Sequence, residues 1–100
     1  MRVTFPDDKP VFDGSNLTVG FIAHADGQPV ECAITAEALE DHFGADSALE
    51  ASLLVAFEKG LTRIHSVCAQ VLGENGGKDI VLHSGLFRME GKRPDRGPAA

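Results

Sequence analysis

The chain has 100 residues, of which 43% are hydrophobic and 24% charged, and a formal charge of −6. That describes one soluble domain, large enough to bury a core without metal or disulfide staples. Residues 1–87 carry five Lys or Arg against 13 Asp or Glu, and residues 88–100 carry four against two; an acidic body repels phosphate backbones, which argues against general nucleic-acid binding.

The first residues, MRVTFPDD, lack the apolar core of a signal peptide, and no apolar run is long enough to span a membrane, so the expected compartment is the cytoplasm. Two cysteines outside any CxxC pattern agree with that. The absence of Trp and Tyr removes the amphipathic anchors that dominate many interfaces.

Arg2–Phe5 alternates, with Val3 and Phe5 on one side, and Pro6-Asp7-Asp8-Lys9-Pro10 ends it as a rigid polar connection. Val11-Phe12 reads either as a brief strand or as a plug under the core, ahead of the turn cluster Asp13-Gly14-Ser15-Asn16. Leu17–Phe43 is the organising stretch. Asp26-Gly27 is a type I′ turn signal, because both central positions need positive φ. A turn there places residues whose numbers sum to 53 opposite each other: Val19 with Ile34, Phe21 with Cys32, Ala23 with Val30. Period-two alternation puts these six on one face and Thr18, Thr35, Ile22 and Glu31 on the other. Turn and pattern agree on one register. Pro29 falls at a non-hydrogen-bonded pair, so residues 28–35 should be an edge near Pro29, with further strands beside 17–24.

Thr35 suits an N-cap, Glu37 the first turn, and Gly44 a left-handed C′ position, giving a short amphipathic helix that buries Leu39 and Phe43. Ser47-Ala48-Leu49-Glu50 has the form of a capping box, with Asp46 as a competing cap. From there apolar residues recur at three and four through Leu49, Leu53, Leu54, Phe57, Leu61, Ile64, Val67, Cys68, Val71 and Leu72. Some 25 residues would reach about 37 Å, long for a domain of this size, so a bend near Gly60 or a protruding end is expected. Asn75-Gly76-Gly77 stops the helix, Asp79–His83 forms a last strand with Ile80 and Leu82 on one face and Val81 and His83 on the other, and Leu86-Phe87 pack back as a turn or a single helical turn. The reading is an α+β fold. A small antiparallel sheet of three to four strands surrounds the Asp-Gly hairpin, with one short and one long helix packed on one face. Residues 1–90 make a single domain, and 91–100, GKRPDRGPAA, a disordered basic tail.

Candidate chemistry is sparse. Cys32 and Cys68 both fall on core faces, where a free thiol acts as a small hydrophobe, and a strand–helix contact seldom brings two cysteines close enough to bridge. His24, His42, His65 and His83 never pair at helical spacing, so no metal site is read. His42, after Glu40-Asp41, reads as a solvated helix histidine. His24, Glu31 and His83 would share the polar sheet face if their strands share a sheet, and form the one candidate surface. No glycine pattern precedes a helix as a phosphate loop requires, and no cofactor or catalytic residue is assigned.

GQPVECAITAEALEDHFGAD, with a later AF-containing helix and a terminal IVLHSGLF, resembles a small bacterial family catalogued as domain of unknown function 1488. The motif elements are Gly27, Val30, Cys32, Ile34, Thr35, Glu37, Ala38 and Leu39, and the likeness covers residues 1–88. The resemblance implies an α+β fold in a bacterial cytoplasm and carries no catalytic residue. The expected role is a non-enzymatic module that binds a protein partner or self-associates; the alternative is a small-molecule or nucleotide-binding module using the polar sheet face.

Overall fold

The computed structural model describes residues 1–91; residues 92–100 of the expected tail lie outside them. At the centre is a hairpin of two eight-residue strands, β3 (Thr18–Ala25) and β4 (Gln28–Thr35). Its register pairs Val19 with Ile34, Phe21 with Cys32 and Ala23 with Val30, as turn and alternation together require. Asp26 and Gly27 both take positive φ, 51° and 84°, the type I′ geometry that matches the twist of the flanking strands. The six paired apolar side chains are buried against the helices. The turn holds the N-terminus as well: the Arg2 amide donates to Asp26 Oδ1 and the Asp26 amide to the Arg2 carbonyl, each at 2.8 Å.

Two short strands line the free side of β3. One, β1 (Val3–Thr4), pairs antiparallel with Ala25 and His24; the other, β2 (Val11–Asp13), pairs antiparallel with Gly20, Val19 and Thr18. Val11-Phe12 is thus a strand, with Phe12 packed against the core.

On the other side, β5 (Ile80–Leu82) runs beside Cys32–Ile34 of β4 and is parallel to it. The sheet is therefore mixed, with five strands among the described residues, where an antiparallel sheet of three to four was expected. The difference is topological: a chain that leaves the end of β4, crosses the sheet as helices and returns at the opposite end can pair only in parallel. Pro29 leaves β4 uncovered at its own end, and β5 begins three residues further on. Between them, Asp79 Oδ1 accepts the outward Glu31 amide at 3.0 Å.

Helix α1 (Ala36–His42) starts at Thr35, whose hydroxyl accepts the Ala38 amide at 3.1 Å. It buries Ala36, Ala38 and Leu39 and closes through Gly44 at φ 77°, leaving Phe43 half-buried. The capping box expected at Ser47–Glu50 does not form. Ser47 Oγ instead donates to Ser52 Oγ at 3.1 Å and accepts the Leu49 amide at 3.3 Å, and the N-cap of α2 (Glu50–Lys59) falls two residues later, at the exposed Leu49.

The expected long helix resolves at Gly60 into α2 and α3 (Leu61–Asn75). Hydrogen bonds continue through the junction, from the Gly60 amide to Ala56 and from Ile64 to the Gly60 carbonyl, so it is a kink and not a loop. Leu53, Ala56, Phe57, Ile64, Val67, Cys68 and Leu72 form the layer that meets the sheet. After β5, Leu86-Phe87 pack back in helical form, the second of the two expected alternatives, and the helix runs on to eight residues, α4 (Ser84–Gly91); its Phe87 is buried edge-on against Phe43, 5.2 Å between ring centres.

Candidate functional site

Among the described residues the helices cover one face of the sheet and leave the other open. Register assigns a row of four residues straight across that open face: Val11 on β2, Gly20 on β3, Ala33 on β4 and Val81 on β5. Two small residues lie in the middle, with a branched one at each end. The result is a shallow apolar trough of about 430 Å³, walled by Val11 and Val81, which are 66% and 45% exposed. Asp13, Glu31 and Asp79 border it. Asp13 is held in place by its own turn: its carboxylate accepts the Asn16 side-chain amide at 2.8 Å and the backbone amides of Ser15 and Asn16. The Asn16 bonds keep its carboxyl below the usual range, so this border stays negative. Sequence reasoning passed over the row, although Gly20 and Ala33 also sum to 53 and stand opposite each other in the hairpin.

Of the expected polar surface, His24 and Glu31 take strand positions that alternate with the core ones, while His83 follows the end of β5, and the three do not converge. His24 pairs with Pro29 near the turn, whereas His83 follows Leu82 at the Thr35 end. Six strand positions at about 3.3 Å each put them about 20 Å apart. Glu31, between them, belongs to the border of the trough.

His42 is not solvated as expected. It is half-buried, and its Nε2 lies 3.1 Å from both the carbonyl and the hydroxyl of Ser84. Ser84 Oγ donates to Asp41 Oδ2 at 2.6 Å. Asp, Ser and His thus meet, but in an order that does not make a nucleophile. The single serine hydrogen goes to the carboxylate, and a carbonyl only accepts, so Nε2 is a donor there and takes no proton from serine. The cluster ties the end of α1 to the start of α4.

A second cavity, about 230 Å³, lies beneath the Phe5–Pro10 loop and is lined by Phe5, Phe21, Phe57 and His65 with Asp7, Asp8 and Glu58. His65 stacks on Phe5 at 3.8 Å, and burial pushes its imidazole pKa down.

The cysteines stand where the core reading put them, buried, yet the strand–helix contact brings Cys68 Sγ to 3.6 Å from Cys32 Sγ. The bond to Cys32, together with burial, raises the Cys68 thiol well above its ordinary range. The same bond draws Cys32 down, against burial and the Asp79 carboxylate. Among the described residues no three His, Cys, Asp or Glu side chains gather as metal ligands, and no buried polar side-chain atom lacks a partner. No described helix is long and apolar enough to cross a membrane.

A family model described as protein of unknown function, DUF1488, matches residues 3–82. The chain belongs to the DUF1488 family. The match takes in every strand and the first three helices, so the trough and both thiols lie within the DUF1488 region, while Ser84 and Phe87 follow it. No curated protein and no solved structure matches the chain.

Proposed function

We propose that this DUF1488 protein is a non-enzymatic protein-interaction module of the bacterial cytoplasm, which seats apolar side chains of a partner on the open face of its sheet. The observation that supports this is the Val11–Gly20–Ala33–Val81 row: an apolar floor with exposed valine walls, on the face the helices leave bare. Exposed apolar ground bordered by charge is what an interaction surface looks like. Asp13, Glu31 and Asp79 favour a partner with basic residues around its apolar contact, and two copies meeting face to face would oppose like charges. The Asp41–Ser84–His42 cluster supports the same reading, since its proton is committed to joining two helices. The small-molecule alternative on the polar face has less support, because His24 and His83 stand at its two ends.

Capture from cell lysate, run beside sedimentation velocity, tests the proposal. The wild-type chain is expected to retain a defined protein that both Val11→Glu and Val81→Glu lose. Equal capture by all three, or a wild-type chain that captures nothing, overturns it; a reversible dimer abolished by either substitution would assign the face to self-association.

A further inference from the structure

Cys32 and Cys68 come from different layers, one from the core face of β4 and the other from α3, 36 positions apart in the chain. Their sulfurs are 3.6 Å apart, with the Cys68 thiol donating to Cys32. Both are buried, at 4% and 0% exposure. A pair of small hydrophobes needs no such alignment; two sulfurs in direct contact across a strand–helix interface form a reactive geometry. A disulfide requires about 2.05 Å between sulfurs, so the pair has about 1.5 Å to close, within reach of small rotations of two side chains. Among the described residues the two thiols gather no third ligand, and a structural zinc site takes four.

We propose that Cys32 and Cys68 form a reversible intramolecular disulfide, a modification site that cross-links the sheet to α3, with a small organic disulfide as oxidant. In the first step the Cys32 sulfur, as thiolate, attacks one sulfur of the oxidant. That S–S bond breaks, one thiolate leaves and takes up the proton Cys32 released, and Cys32 is left in a mixed disulfide. In the second step the Cys68 sulfur displaces the remaining half as a thiol, which leaves with the Cys68 proton. Protein dithiol and small disulfide become protein disulfide and two small thiols, so two electrons and two protons are accounted for. Burial limits this to moments of local opening between the helix layer and β4. It also excludes a bulky second thiol, which directs the mixed disulfide to Cys68 and not to another chain. The site is independent of the open face, which lies on the other side of the sheet.

The test uses the full chain, folded, equilibrated in buffers of increasing glutathione disulfide over glutathione, then unfolded and alkylated without reduction. A species with two alkyl groups is expected to convert directly into one with none, monomeric and lighter by two hydrogens, and to return on adding dithiothreitol. The bridged form is expected to melt several degrees higher, because the cross-link restricts the unfolded chain. Two free thiols across the whole series, a stable glutathione adduct on either cysteine, disulfide-linked dimers, or an unchanged or lower melting point in the bridged form would each overturn the proposal.

Discussion

Gly60 has no side chain because the Phe43 ring occupies the place of one: a Cβ built there would overlap its Cδ1 and Cε1 atoms. The ring cannot swing away freely, since Phe87 meets it edge-on and the Arg63 guanidinium lies over it, 5.1 Å from its centre. Helix propensity alone favours Gly60→Ala by about 1 kcal/mol. Overpacking a fixed ring costs about 1–3 kcal/mol and should win, so chemical denaturation is expected to find the variant less stable. A stabilised variant would mean that Phe43 is not fixed. His65 provides a pH-dependent case. Burial lowers its folded pKa from the ordinary 6.5, so the folded state prefers the neutral ring. Its contribution is complete above that value and is lost as pH falls below it, because the unfolded chain takes up the proton first. Melting curves between about pH 7.5 and pH 5 should show a smaller loss on acidification for His65→Phe than for the wild-type chain; equal losses would contradict the assignment.

At the scale of elements, two junctions invite measurement. Thr35→Ala removes the cap of α1 and should cost about 1 kcal/mol in denaturant unfolding. Ser84→Ala removes the hydroxyl that joins α1 to α4, and with it a bond to a carboxylate, for an expected loss of about 1–3 kcal/mol. If either variant unfolds like the wild type, the corresponding hydrogen bond is not holding its junction. These two sites also mark what sequence can and cannot convey. Thr35 was legible because a cap acts within three residues of itself, and the hairpin register because its turn and alternation are local. Ser84 was not: its partners Asp41 and His42 are more than 40 positions away and meet it only through the tertiary fold. The parallel pairing of β5 was hidden for the same reason, and the Cys32–Cys68 contact depends on how α3 is rotated over the sheet, which periodicity leaves open to about one residue. The capping box at Ser47 was a local pattern that a second local bond, to Ser52, outcompeted.

For the whole molecule, the decisive feature is that, among the described residues, a mixed sheet has helices on one side only. The acidic body and the one-sided sheet were readable in composition and alternation; the trough was not, because one wall, Val81, is set by the non-local pairing of β5, and the other, Val11, lies in a stretch that reads equally as a strand or as a plug. Val11 and Val81 contribute little to the core, so Val11→Glu and Val81→Glu should leave unfolding within about 0.5 kcal/mol of the wild type while altering partner capture. Methyl-resolved NMR of the chain, titrated with the captured partner, tests the placement most directly. Resonances of Val11, Ala33 and Val81 are expected to shift together, with those of Leu53, Leu72 and other helix-layer methyls unmoved. Shifts centred on the helix layer, or on the cavity around Phe5 and His65, would contradict the open face as the working surface.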